Sequence, residues 1–340
     1  MELLIDIVLL TLLVIVAVAI IRMKDLFATI MLLGIYGLLS ASFFVAMDAV
    51  DVAFTEAAVG AGISTLLMLV VITMTGRHEK TNRHKPFIAL IVVIVTGGLL
   101  IYGTLDMPYF GSESAPIHNH VSPRYINDSE QEIGIPNIVT SVLASYRAFD
   151  TLGEVVVVFT AGIGVLALLP VARNRMKQGK NEQQTAKNDS MHQQHLVVRI
   201  VAKMLIPFIL LFALYVQFHG DFGPGGGFQA GVIFAAAIIL YTMLFGLHIA
   251  RKVINQTFIQ LIAATGVLIY GCVGVLSLLN GGNFLDYNVL ALNPIAGQHL
   301  GILIIEFGVG CTVASVMIII FFNFSGRSEM LQKTKESPPC

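Results

Sequence analysis

Apolar residues in this chain come in long runs separated by short polar stretches, the pattern of helices that cross a bilayer. Nine spans are predicted, at about 3–21, 26–46, 52–74, 87–105, 150–171, 197–217, 228–249, 256–279 and 298–324. Each is close to the length an α-helix needs to cross roughly 30 Å of hydrocarbon. The expected fold class is all-α: a polytopic integral membrane protein of about nine transmembrane helices in two bundles. One segment reads differently. After Pro136, Ile138, Val142 and Tyr146 recur every fourth residue, with Val139, Leu143 and Phe149 beside them. That spacing predicts a short helix lying at the outer interface before the fifth span.

The polar stretches divide and orient the chain. Residues 173–195 are polar and nearly free of apolar side chains, and read as a cytoplasmic linker between the bundles. Asp106 to Gly134 forms a longer loop on the other side. The expected organisation is a three-helix module at 1–85, a two-helix module with the outer loop and interfacial helix at 86–172, the linker, a four-helix domain at 196–326 and a cytoplasmic tail at 327–340. Eighteen of the twenty Lys and Arg residues fall on one side, leaving Arg124 and Arg147 on the other. The positive-inside rule then puts the N-terminus outside and the C-terminus in the cytoplasm. Leu3 to Ile21 has no basic segment before it and no small-residue cleavage site, so a retained first span is expected.

Composition narrows the chemistry. Of 340 residues, 56% are hydrophobic and 12% charged, against about 25% charged in a soluble domain. The net charge of −1 offers nothing to nucleic acid. Three cysteines, Cys272, Cys311 and Cys340, form no CxxC pair, so neither a structural zinc site nor an iron–sulfur cluster is expected. His118 and His120 lack a third nearby ligand and read as a solvated loop. No cofactor and no metal are expected, and no enzyme activity.

Charge inside a span is the strongest functional signal. It costs about 2.5–3.5 kcal/mol at mid-bilayer on insertion scales, and such residues face protein or water. Glu56, Glu154 and Glu306 lie within the third, fifth and ninth spans. Gly60 and Ser64 follow Glu56 at four and eight residues, and Gly310 and Ala314 follow Glu306 likewise. Small residues at that spacing admit a neighbouring helix, so these carboxylates are expected at helix–helix interfaces. Glu154 has Gly162 on its face, with Val158 between. His299, two turns before Glu306, could extend a polar path outward. Asp51 and Asp150, near the outer ends of spans three and five, join the candidate ion or proton pathway. Two readings remain for the glutamates: hydrogen-bonded packing, or a role with protons or cations.

The second signal is the run from His219 to Gly231, HGDFGPGGGFQAG. Pro224 donates no backbone hydrogen bond, and Gly225, Gly226 and Gly227 do not favour helix, so the chain must leave the helical path there. From Phe228 a new helix begins, its positive end facing whatever cavity the break creates. A tight interhelical turn and an ion-pathway element both fit. A nucleotide-binding loop does not, because no strand precedes it and no P-loop lysine follows.

At these residues the chain resembles a known family. His219, PGGGF at 224–228 and Gly231 are similar to the signature of the B-type component of the Mrp multisubunit sodium/proton antiporters, over about 197–325, with Ala230 where a second Gly often stands. DLFATIMLLGIYGLLSASFFV (25–45), DVAFTEAAVGAGIST (51–65) and RAFDTLGEVVVVFTAGIGVLALL (147–169) resemble the C-terminal region of the same antiporters' large A-type component. The resemblance implies a bacterial or archaeal cell-membrane subunit of a sodium/proton antiporter. It also implies a cation or proton path through the three glutamates and the His219–Phe228 loop. Partners would be other antiporter subunits, both large proton-translocating ones and small membrane ones. The alternative it implies is a membrane-arm subunit of a redox-driven pump of the membrane-bound hydrogenase type.

Overall fold

The computed structural model describes residues 2–79, 86–109, 111–169 and 196–336; the predicted linker at 173–195 lies outside them. Among the described residues, nine helices are long and apolar enough to cross a membrane. They are α1 (Glu2–Arg22), α2 (Leu26–Ala46), α3 (Val50–Thr75), α4 (Pro86–Thr104), α6 (Ala148–Leu168), α7 (Leu196–His219), α8 (Gly227–Phe245), α10 (Gln256–Leu279) and α11 (Pro294–Glu336). Between them lie the short α5 (138–146) and α9 (Leu247–Val253). The chain is a multi-pass helical membrane protein, as its apolar runs predict.

Local chemistry sets the helix ends. The Asp25 side chain caps α2 by accepting from the Phe27 and Ala28 amides, and Asn255 caps α10 through the Thr257 amide. Asp25 also binds Arg77 at 2.7 Å, while the Leu26 amide donates to the Arg77 carbonyl, so one ion pair joins the ends of α1–α2 and α3. The Arg77 guanidinium holds the Asp25 carboxyl below the usual carboxylate range.

The last helix is the hub. One side of α11 packs along α10, another along α8, and α6 and the C-terminal half of α3 complete its surroundings. Small residues permit this crowding. A methyl added to Gly231 would sit 2.8 Å from the Gly310 carbonyl oxygen, and one on Gly308 would sit 2.8 Å from that of Gly266. By contrast, α1 and α4 bury no residue among the described residues and show lipid-length apolar faces.

Two features depart from simple helices. Ala57–Ser64 widens into a π-helical stretch in mid-α3. Segment 138–146 is helical as predicted, but Ser141–Tyr146 is also π-helical. Its exposed face carries Ile138, Val139 and Leu143, while Thr140, Ser141 and Ala144 are buried against the protein. The predicted outer loop is not plain solvated chain. It folds into short turns at Pro116–Asn119, Ser122–Asn127 and Ser129–Ile133. Tyr146 hydrogen-bonds Glu132, and Arg124 pairs with the same carboxylate at 3.1 Å. The hydroxyl and guanidinium hold the Glu132 carboxyl low, and burial helps push the Tyr146 hydroxyl up to about 12.

Candidate functional site

The glycine-rich run breaks the helical path between α7 and α8 at the level of Glu306, twelve residues into α11. Its sharpest point is Gly226, with φ 108°, a backbone region that side-chain-bearing residues rarely enter. The Gly226 amide donates to the Val216 carbonyl at 3.0 Å, closing the turn before α8 begins at Gly227. The loop lies against Glu306. A methyl on Gly226 would sit 3.0 Å from Glu306 Oε1, and one on Gly220 would sit 3.3 Å from Oε2. Gly227 is tighter still, facing the Glu306 carbonyl. A methyl at Gly226 crowds the carboxylate, one at Gly227 meets the α11 backbone, and one at Gly220 meets the Gly226 backbone of the loop itself.

Three other elements converge on this loop. From α3, Asp51 Oδ1 accepts from the Gly225 amide at 3.2 Å, and Thr55 Oγ1 accepts from the Gln229 side-chain amide at 2.8 Å. From the start of α5, Thr140 Oγ1 donates to the Gly220 carbonyl at 2.6 Å, and Asn137 Nδ2 donates to the Gly220 and Gly223 carbonyls at 3.0 Å each. From α6, Glu154 completes the ring. Together they line a cavity of about 590 Å³ whose polar walls are Asp51, Thr55, Thr140, Thr151, Glu154, Gln229 and Glu306.

Beside the cavity, on the loop, Asp221 faces His299 at 3.8 Å, and His299 Nε2 lies 3.0 Å from the Gly134 carbonyl. Burial pushes the Asp221 carboxyl up, opposed by His299. His219 ends α7, stacked on Tyr215 with ring centres 4.9 Å apart, and its carbonyl accepts from the Phe222 and Gly223 amides. Pro224 is exposed at the loop tip.

The predicted residues therefore separate. Asp51, Glu154, Glu306 and Gly225 to Phe228 meet in one cavity. Glu56 lies apart, between α3 and α2: its Oε1 would be 3.4 Å from a methyl on Gly37, and Gly60 lies under the carboxylate. It occupies a close helix–helix contact as its spacing predicts, reached through the π-helical stretch. Asp150 is exposed and pairs with Arg147 at 2.6 Å, away from the cavity. Glu154 corrects the interface expectation. The buried stripe of α6 is Ala148, Val155 and Gly162, a seven-residue repeat, so Gly162 packs on Val316 while Glu154 points off that stripe and is exposed where it lines the cavity.

Sequence reading missed Asn137, Thr140, Thr55, Gln229 and Asp221. For Asn137 a signal existed, since Asn directly before a helical periodicity is a capping residue, and its Oδ1 does accept from the Val139 amide. Thr140 and Gln229 carry no local mark: their partners are distant in sequence.

The fold and cavity define a polytopic helical membrane protein with a carboxylate-lined chamber around a broken helix. Comparison with known proteins places it further. Residues 197–319 match the domain related to the MnhB subunit of Na+/H+ antiporters, while 11–77 match MbhD and 88–186 match MbhE, both of them subunits of MBH. The antiporter protein mnhB2 of Staphylococcus aureus (strain Newman) is 30% identical over 139 residues, covering 40% of this chain and 98% of that protein. A Rhizobium meliloti (strain 1021) protein, named as a probable K(+)/H(+) antiporter component of A/B type, is 23% identical over 88% of this chain, which spans 32% of that relative. A chain of the Mrp complex from Dietzia sp. DQ12-45-1b shares the fold, with TM-score 0.73 and 24% identity over 94% of this chain and 34% of that one. A chain of an archaeal membrane-bound sulfane sulfur reductase aligns with TM-score 0.51 and 28% identity, covering 71% of this chain and 98% of that one. The chain belongs to the MnhB-related family of antiporter subunits.

Proposed function

We propose that this chain is a membrane subunit of a multisubunit cation/proton antiporter, with sodium as the cation, and that its carboxylate-lined cavity is part of the ion or proton path. The observation that carries this reading is the meeting of Asp51, Glu154 and Glu306 with the glycine-rich loop in one cavity inside the spanning region. Irregular backbone at membrane depth is tolerated where it lines a wet cavity or is buried in protein, and three carboxylates around such a break favour the wet alternative. Its companions are other antiporter subunits: the Dietzia match is a chain of the multisubunit Mrp complex, and the Rhizobium relative is about three times longer than this chain. Residues 1–85, 86–172 and 196–326 act as three fused modules, consistent with their separate family matches. The chain itself is non-enzymatic, its sequence offering no cysteine pair for a redox centre. It sits in a bacterial or archaeal cell membrane with its N-terminus outside, supported by the one-sided basic residues.

The test is exchange by the reconstituted complex. Glu306→Gln keeps shape and most hydrogen bonding but cannot titrate. Cation-driven proton movement should fall roughly tenfold or more with the complex intact, and Glu154→Gln and Asp51→Asn should follow. Glu56→Gln, away from the cavity, should act more mildly. Full exchange by the three cavity variants at every pH would refute the pathway. The alignment with the sulfane sulfur reductase supports a second reading, a membrane-arm subunit of a redox-driven pump. Capture of the chain in mild detergent separates the two: antiporter subunits support the first, and iron–sulfur subunits the second.

A further inference from the structure

The glycine-rich loop is held chiefly from outside its own domain. Three consecutive or near-consecutive backbone carbonyls, those of Gly220, Asp221 and Gly223, would be without helical partners at the break. All three are satisfied by the segment that begins α5. Asn137 donates its backbone amide to Asp221 at 3.1 Å and its side-chain amide to Gly220 and Gly223 at 3.0 Å, and Thr140 adds a second donor to Gly220 at 2.6 Å. Both side chains reach across about eighty residues of sequence. Thr140 is buried, and the Asn137 side chain also caps α5, so its orientation is fixed twice.

The same loop residues flank the Glu306 carboxylate so closely that a methyl on Gly220 or on Gly226 would reach one of its oxygens. We infer that Asn137 and Thr140 are positioning residues for ion transfer, a clamp that holds the broken backbone and the positive end of α8 against Glu306. This rests on the pathway reading above and extends it: the Thr140 hydroxyl and the Asn137 side-chain amide are spent on loop carbonyls, and through the loop both set the surroundings in which Glu306 works. Oriented amides and a helix N-terminus favour the ionised carboxylate. The charged and titratable groups around Glu306 are Asp51 from α3, Asp221 on the loop, Glu154 from α6 and Tyr270 from α10, with His299 two turns away on α11 facing Asp221. The carboxylates repel one another, and the positive end of α8, which begins at Gly227 against α11, is the fixed charge set against them. A released loop should therefore change the setting in which Glu306 exchanges its proton or ion.

The test uses the whole reconstituted complex. Asn137→Ala removes both side-chain donors. Thr140→Val removes one hydroxyl at constant shape, and Thr140→Ser keeps it. With assembly checked on a native gel, Asn137→Ala should lose exchange about tenfold, the order expected for one or two buried hydrogen bonds. Its pH–activity profile should also move, and the loop amides at 220–226 should exchange hydrogen faster. Thr140→Val should behave the same way to a smaller degree, and Thr140→Ser should restore both rate and profile. A purely structural role would lower complex yield and leave the pH profile of the remaining complex where it was. That result, or wild-type exchange by Asn137→Ala and Thr140→Val in an assay where Glu306→Gln is inactive, overturns the clamp. Full exchange by Glu306→Gln would instead overturn the pathway reading beneath it.

Discussion

Glu306 and Asp221 stand close together yet answer to different forces. Glu306 is enclosed by glycine backbone, whereas Asp221 is half-buried at the loop with His299 facing it. Burial raises the Asp221 pKa more than His299 lowers it. The folded state therefore binds this proton more tightly than the unfolded chain. Asp221 contributes stability below its ordinary pKa, and that contribution is lost as pH rises through the raised value. Asp221→Asn, which cannot titrate, should gain thermal stability over the native chain as pH moves from acid to neutral. A melting series on the solubilised complex checks this, and a pH-independent difference, or one of opposite sign, would show that His299 dominates. Some of this chemistry was legible in sequence. Glu306, Glu154 and Glu56 announce themselves as charges in apolar runs. Asp51 binding Gly225 does not, because the two lie 174 residues apart and no local pattern marks their meeting.

Helices were legible wherever apolar length and capping agree, as at α2 and α10. They were less so where the helix changes pitch. Four-residue spacing places Glu56 over Gly60 and Ser64, but Ala57–Ser64 is π-helical, so only the first of those contacts is secured. Such widened turns occur often at functional positions and have no reliable sequence sign. Glu154 shows the opposite error: Val155 and Gly162 carry the seven-residue stripe, and a one-residue change of phase turns a carboxylate outward. The glycines separate two kinds of damage. Gly226→Ala places a side chain at φ 108° and 3.0 Å from Glu306 Oε1, at a cost of about 1–3 kcal/mol from the backbone alone. It should cut exchange while complex still forms. Gly231→Leu meets the α11 backbone instead, so complex yield should drop first. Blue-native electrophoresis beside a transport assay distinguishes them, and equal losses of yield in both would refute the distinction.

The whole chain sits in the bilayer one way round if basic residues decide it. Single cysteines at Gln184 and Ser114, in a background without Cys272, Cys311 and Cys340, should react with impermeant reagents from opposite sides, Ser114 from outside. Labelling of Gln184 from outside would invert the arrangement. The nine spans and the family were readable from the linear chain; the convergence of α3, α5, α6 and α11 on one loop was not, since each contributes only a few polar groups to a place defined by packing. Glu154 has a last consequence. Its carboxylate lies on the open side of α6, exposed within a span. If companion subunits close that side, a copy made in excess of them would hold the acid against acyl chains, a fault that membrane proteases are suited to detect. Synthesis without companions should therefore give a short-lived protein, and Glu154→Leu should lengthen its half-life in a pulse–chase experiment. The residue would then serve as a tally mark, keeping the number of copies matched to the complexes that can receive them.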